Sequence, residues 1–402
     1  MRINGLKCLV TFVLFLFGGV RAAEIILASS RMEAIPNSYV VVMKDGILAD
    51  EFDAHKRWIG YLLRYNPSAS EADEDSWGLR HTFNVAGLQG YSGSFDKQMI
   101  QIISQNPHVK YVEQDAVVNA LGLVTQKNSG WHLSRISHKK LPVTPEYVYE
   151  ERAGRDVHIY LLDTGVDGTN SGLRGRVIQG INTTPDGDAD ESGHGTSVAE
   201  VMAGTVHGVA KKALVVSVKI LGNTGSGTLS GIIQGLEWSI NDVAEKGIVG
   251  KAVLNMSFGG SYSASINQAT EKVIKAGIFV AASVGAGNRD ASGESPVSAN
   301  GVCAVAASTI DDRPALFSSY GPVVDVYAPG TDIMTRINGD IPVTVSGSSF
   351  SAAQVSGMAA FVIDRGVTSD KVCEAIKMLA LPSIQNPRLG TINLLLYNGS
   401  GR

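Results

Sequence analysis

The sequence predicts an α/β protein: a mostly parallel sheet with helices on both faces, preceded by a small α+β unit. Three observations carry this expectation. From residue 157 onward, strand-like and helix-like stretches alternate, the pattern of parallel strands joined by covering helices. The strand-like runs are apolar nearly throughout, as strands buried on both faces require. Ahead of them, residues 35–120 show a strand and helix pattern of their own. A chain of 402 residues is long enough for two domains and a leader.

Taken in order, Arg2 and Lys7 flank and precede an apolar run over 8–20, closed by the small-residue pattern Val20-Arg21-Ala22. This reads as a signal peptide over 1–22, too short to cross a bilayer, and no second long apolar segment follows. The expectation is a secreted protein with no membrane anchor, against the alternative of an N-terminal anchor. Within 35–120, residues 39–44 read as a strand, 90–95 as a turn, 97–104 as a helix and 108–115 as a strand. The pattern alone would also suit a small α+β binding domain. Further on, strands are expected at 157–162, 215–220, 252–257, 278–282 and 302–307. Helices are expected at 196–203, 229–240, 267–276 and 350–363. Neither internal repeats nor a low-complexity linker interrupts them. The formal net charge of −4, 18% charged residues and lack of a basic block argue against a nucleic-acid partner.

Three segments carry chemistry: Asp163-Thr164-Gly165, Gly193-His194-Gly195-Thr196 and Gly347-Ser348-Ser349-Phe350-Ser351. Each lies at the edge of a different expected element. Asp163 ends a strand, while His194 and Ser349 open helices. Carboxylate, imidazole and hydroxyl suffice for covalent acyl transfer: the imidazole takes the hydroxyl proton, and the carboxylate fixes its tautomer. A Ser at a helix N-terminus has free backbone N–H groups beside it for an oxyanion. Singly, each segment is weak. A Gly-flanked His is more often a loop residue, and Asp-Thr-Gly also occurs in ordinary turns. The chain order Asp, His, Ser separates this arrangement from the other two common orders, and no G-x-S-x-G elbow surrounds Ser349.

With these residues the chain resembles a subtilisin-family serine protease of the proteinase K-like branch, from about Ile35 to the C-terminus. The family's D-T-G, G-H-G-T and G-T-S-M-A-T-P appear as D-T-G, G-H-G-T and G-S-S-F-S-A-A. The resemblance implies that Asp163 orients, His194 is general base and acid, and Ser349 is the nucleophile. It implies substrate-lining segments at Gly225, Ser226 and Gly227 and at Ser257, Phe258 and Gly259, which would pair with an extended peptide. By themselves, both would read as Gly-rich strand ends. Residues 35–120 resemble the family's inhibitor propeptide, with Tyr39-Val40-Val41 opening it and Val112-Glu113-Gln114-Asp115 closing it. The implied role is to assist folding and plug the cleft until cleaved between Asn119 and Val124. Trp131-His132-Leu133-Ser134-Arg135-Ile136-Ser137 matches the mature start, giving a peptidase domain over 124–402.

The resemblance also implies a disulfide. Beyond the leader only Cys303 and Cys373 remain, about where proteinase K-like enzymes carry one; two free buried thiols are the alternative. Asp325 matches a structural calcium ligand, with the carbonyls of Asn300 and Val302, though a solvated loop Asp reads equally well; no cofactor is expected for catalysis. Sequons at Asn182, Asn255 and Asn398 fit a glycoprotein, with Asn255 a poor acceptor in a cleft strand. Departures matter as well. Where the family places its oxyanion Asn, an ungapped reading puts Ala286; Asn288 is the oxyanion candidate only if the loop shifts by two residues. Ser197 and Gln354 stand where the family has His. The expected function is a secreted serine endopeptidase made as a zymogen, acting as a monomer on protein or peptide substrates with broad, largely apolar preference. The alternative is a catalytically weak or inactive pseudoprotease that binds peptides or serves as a surface protein.

Overall fold

The computed structural model describes residues 22–28, 33–64, 78–117 and 122–402. Residues 1–21 of the expected leader, and 119–121 of the expected cleavage segment, lie outside the described residues. The chain divides into two compact units, Met1–Ala120 and Leu121–Arg402.

The first unit carries β1 (Glu24–Ile26), β2 (Glu33–Met43), α1 (Ala49–Arg64), β3 (Gly78–Val85), β4 (Leu88–Ser94), α2 (Lys97–Ser104) and β5 (Val109–Val117). Its sheet has the order β1-β5-β2-β4-β3, antiparallel except for β1 beside β5. Tyr39, Val41, Phe52, Ile59, Tyr91, Phe95, Ile103 and Val112 form its core. Asp96 caps α2 by accepting the Met99 N–H at 2.7 Å. Residues 90–95, expected as a turn, instead lie mostly in β4. The glycines that suggested a turn serve close approach: a Cβ on Gly90 would collide with the Val41 carbonyl and the Phe83 ring.

The second unit opens with β6 (Leu123–Lys127), α3 (Trp131–Ile136) and β7 (Glu146–Glu150). The strands and helices of the main layer then follow: β8 (His158–Asp163), β9 (Val177–Asn182), α4 (His194–Ala203), β10 (Leu214–Lys219), α5 (Leu229–Glu245) and β11 (Ala252–Met256). After the short β12 (Gly260–Ser261) come α6 (Ala264–Lys275), β13 (Phe279–Ser283), β14 (Glu294–Ser295), β15 (Cys303–Ser308) and β16 (Val326–Pro329). The chain closes with β17 (Ile333–Arg336), β18 (Pro342–Val345), α7 (Ser348–Asp364) and α8 (Val372–Leu379). Seven strands form one parallel sheet, β16-β15-β13-β11-β8-β10-β9.

Both sheet faces are covered, which explains the continuously apolar strands. Ile159 and Leu161 of β8 pack with α4, α7 and α8; Tyr160 and Leu162 pack with α5 and α6. Helix α7 runs through the middle of the unit against α4, β11, β13 and β15, and nearly every side chain on it is buried. Its small residues, Ala352, Ala353, Gly357, Ala359 and Ala360, permit that close packing. An element buried on every side holds its first turn in a fixed place. The carboxyl ends of β8, β10, β11 and β13 together with the starts of α4 and α7 form the rim where open α/β sheets bind ligands.

Candidate active site

Asp163 is the last residue of β8 and is fully buried; His194 is the first residue of α4 and half-buried. The His194 Nδ1–H donates to Asp163 Oδ1 at 2.7 Å, and the Thr164 N–H donates to the same oxygen at 2.7 Å. Giving Nδ1–H to the carboxylate fixes the tautomer and leaves the Nε2 lone pair free. The charge of Asp163 raises the His194 pKa above the ordinary imidazole value; burial opposes this, and the Asp163 hydrogen bond and the charge of Asp190 add to it. Helix α4 can begin so close to the Asp163 loop because residue 195 lacks a side chain. A Cβ on Gly195 would strike the Gly165 carbonyl.

Ser349 is the second residue of α7. Its hydroxyl donates to the Ser257 carbonyl at 2.9 Å, and Ser257 Oγ donates to the Ser349 carbonyl at 2.9 Å. Asn255 Nδ2 donates to Ser257 Oγ at 2.8 Å, and Ser356 Oγ to Asn255 Oδ1 at 2.8 Å. This chain of bonds ties the nucleophile candidate to the end of β11. No hydrogen bond joins Ser349 to His194 among the described residues, although the adjacent Phe350 ring lies 6.0 Å from the imidazole, centroid to centroid. Free enzymes commonly hold such groups loosely, and the bond tightens around substrate. Gly347 gives α7 no side-chain cap, and the Ser349 N–H has no partner among the described residues.

The remaining expected residues are distributed unevenly. Gly225, Ser226 and Gly227 form an exposed turn after β10, where the Gly222 N–H donates to the Ser226 carbonyl at 2.8 Å. Ser257 is buried at the end of β11, with Phe258 half-buried and Gly259 exposed beyond it. Asn288 is exposed in the loop after β13. Its backbone sits at φ 49° with its N–H on the Phe317 carbonyl, and its side chain meets none of the site residues through a hydrogen bond among the described residues. Ala286, two residues nearer the strand, is exposed and offers no side-chain donor.

Sequence reasoning missed two contributors and a buried carboxylate on α4. Asp190 is buried and bonded to both the Asp163 and His194 segments; its position four residues before His194 in an acidic stretch was the available signal. Asn255 reads from sequence as a sequon in a cleft strand with no role of its own, yet it is fully buried with its amide nitrogen on Ser257. Glu200 lies on α4 with both carboxylate oxygens buried and unpartnered among the described residues. Beside the Asp163 loop, a cavity of about 460 Å³ is lined by Asp167, Gln179, Asp188, Asp190, Glu191 and Asn338, among others.

Comparison with known proteins decides the family. Residues 154–387 match the Subtilase family, and residues 38–121 match Peptidase inhibitor I9. The chain belongs to the subtilase family. It is 46% identical over 404 residues to a subtilisin-like protease of Coccidioides posadasii, covering 99% of this chain and 100% of the relative. It is 44% identical over 371 residues to subtilisin-like protease 4 of Trichophyton tonsurans, covering 92% of each. A cold adapted subtilisin-like serine proteinase of known crystal structure superposes with a TM-score of 0.64 at 32% identity, covering 68% of this chain and 99% of that one. This subtilase is therefore a serine-type endopeptidase with an inhibitor propeptide domain, a peptide substrate and its own propeptide as partners. Among the described residues no helix is long and apolar enough to cross a membrane.

The two residues that depart from the family pattern each make a hydrogen bond to a backbone carbonyl, although Gln354 Oε1 has no partner among the described residues. Ser197 Oγ donates to the His194 carbonyl at 2.7 Å, and Gln354 Nε2 donates to the Pro329 carbonyl at 2.6 Å. Cys303 of β15 and Cys373 of α8 form a disulfide, with Cα atoms 5.7 Å apart.

The carboxylate of Asp325, expected to hold calcium together with the Asn300 and Val302 carbonyls, is engaged by protein groups. Asp325 Oδ2 accepts the Ala304 N–H at 3.0 Å, and Oδ1 lies 3.3 Å from the Lys377 ammonium. Among the described residues, the other Cys, His, Asp or Glu ligand atoms grouped with it are the sulfurs of Cys303 and Cys373, already joined in the disulfide. Calcium needs six to eight oxygens, and here a lysine already supplies the positive charge beside the carboxylate. Adding EDTA to this subtilase is expected to leave its melting midpoint unchanged to within about 2 °C. A larger drop in a thermal scan would mean that a cation is held after all.

Proposed function

We propose that this subtilase is a secreted serine endopeptidase, made as a zymogen, that cleaves peptide bonds with broad, largely apolar preference through an acyl-enzyme on Ser349. The observation that carries the reading is the 2.7 Å bond from His194 to Asp163 at the same rim as the uncapped start of α7. Ser349 turns about its Cα–Cβ bond from the Ser257 carbonyl toward His194 Nε2. Its oxygen then attacks the substrate carbonyl as its proton passes to Nε2. The Ser349 N–H holds the resulting oxyanion, and Asp163 stabilises the imidazolium. The imidazolium returns the proton to the leaving amine, and water repeats the sequence to release the acid.

The reading assigns 1–22 as leader, 35–120 as inhibitor propeptide and 124–402 as peptidase domain, with cleavage between Asn119 and Val124. Because His194 must start neutral and its pKa is raised, activity is expected to fade with acidification at a higher pH than for an ordinary histidine. A pH–rate profile of kcat/KM with its acid limb at or below the ordinary imidazole value would contradict this.

A catalytically weak or inactive peptide-binding protein is the second reading. It is favoured by Ala286 at the oxyanion position and by the Ser349 hydroxyl bound to Ser257. A fluorophosphonate probe separates the two. The processed protein should carry the label on the peptide containing Ser349, and Ser349→Ala should carry none. The wild-type precursor should also shorten on expression, while Ser349→Ala stays full length. A wild type that neither labels nor shortens would leave the second reading.

A further inference from the structure

We propose that Asp190 is a positioning residue for the catalytic pair: its carboxylate clamps the loop carrying Asp163 to the helical turn carrying His194, and so sets the distance between the two. The inference rests on the triad reading above and extends it to a residue that does not touch substrate.

The carboxylate of Asp190 is buried and accepts four hydrogen bonds. Oδ1 takes the Thr164 hydroxyl at 2.7 Å and the Gly193 N–H at 2.9 Å. Oδ2 takes the Thr196 N–H at 2.8 Å and the Thr196 hydroxyl at 2.6 Å. Thr164 belongs to the Asp163 segment, while Gly193 and Thr196 flank His194. Thr164 Oγ also accepts the Gly195 N–H at 3.0 Å, closing a three-cornered network. Among the described residues, no other side chain outside the two segments bonds to both.

The clamp is itself held. Asn338, from the loop after β17, donates to the Asp190 carbonyl. The Lys219 ammonium reaches the Thr164 carbonyl at 2.5 Å and the Ala189 carbonyl at 3.2 Å. Gly193 places no capping side chain on α4, so the amides of its first turn are free, and Asp190 and Thr164 satisfy two of them from outside the helix. A carboxylate at a helix start is also favoured by the dipole. Beyond geometry, the charged groups that act on His194 are Asp163 from the end of β8 and Asp190 from the loop before α4, with the Lys219 ammonium on the Thr164 carbonyl nearby. An amide in place of the Asp190 carboxylate would keep the size, turn an NH2 toward two of the four donors, and remove a negative charge near the imidazole.

The test uses the full chain. Asp190→Asn should lower the rate of fluorophosphonate labelling at Ser349 by about ten- to a hundredfold, the loss expected for a catalytic group displaced by about an ångström. The acid limb of that rate should move to lower pH. The His194 titration midpoint, followed by NMR on selectively labelled histidine, should fall as well. Should Asp190→Asn fail to fold, Thr164→Val removes one corner of the network and should cost about tenfold with the same direction of midpoint shift. An unchanged rate, or a slower rate with the His194 midpoint unmoved, overturns the proposal by reducing Asp190 to a structural residue. If wild type does not label at any pH, the triad reading fails; a midpoint that still falls in Asp190→Asn would nonetheless support the clamp.

Discussion

Ala286→Asn is expected to raise the turnover of this subtilase by about 10²–10³, a magnitude established for the oxyanion asparagine of a subtilisin. An ungapped reading against the family pattern puts Ala286, whose side chain is a methyl group, where the family supplies a side-chain amide. The Ser349 N–H is then left as the main donor for the developing charge. A donor that bonds the oxyanion but not the planar carbonyl strengthens only in the transition state, so kcat should rise while KM stays nearly constant. Steady-state kinetics on a peptide substrate, with active sites counted by the fluorophosphonate probe, would measure it. Asn288→Ala is the companion variant. If Asn288 is not a donor, its removal leaves kcat unchanged. If instead kcat falls with Asn288→Ala and does not respond to Ala286→Asn, the loop supplies its amide from 288, two residues along.

Glu200→Gln is expected to stabilise the protein at neutral and alkaline pH and to change little in acid. Glu200 is fully buried on α4 with neither oxygen hydrogen-bonded among the described residues, and burial raises its pKa from 4.5 to about 7. The charges of Arg336 and Arg176 oppose that rise, Asp340 adds to it, and Lys211 opposes it. A carboxyl whose folded pKa is raised keeps its full stability below the unfolded value. That stability is lost as pH climbs through the folded value. The cost is absent below 4.5 and complete above about 7, where it amounts to about 3 kcal/mol. Lys211, buried nearby with its pKa lowered to about 7, carries the opposite burden on the acid side. Thermal scans at about pH 4.5 and about pH 8 should therefore show Glu200→Gln melting several degrees higher only in the alkaline sample. An equal shift at both pH values would trace the effect to packing instead of charge.

What the sequence could and could not disclose follows from where each segment lies. The central strands β8, β10, β11, β13 and β15 are buried on both faces, so their apolar runs are continuous and their positions readable. Edge strand β9 is half-exposed and mixes Gln179, Gly180 and Asn182 with its apolar residues, so no run marks it. Strand β4 went unread because Gly90 and Gly93 signal a turn locally, while pairing with β2 and β3 decides the outcome. At the site, Asp163, His194 and Ser349 were legible because the chemistry demands those residue types at the edges of elements. Asp190 and Asn255 were not, because a carboxylate in an acidic loop and an amide in a strand declare nothing until their partners, distant in sequence, are known. The Lys377 ammonium beside Asp325 was hidden for the same reason, the two lying 52 positions apart.

The disulfide has a bearing on survival among copies of the same enzyme. It joins cysteines 70 positions apart, and the segment it encloses contains the partly exposed hairpin of β17 and β18 as well as Ser349. A cut in that hairpin would sever the backbone yet leave the nucleophile fragment stapled to the sheet. Damage of that kind would show on a reducing gel as two bands and on a non-reducing gel as one. A nicked copy would keep its nucleophile fragment in place through this one covalent link.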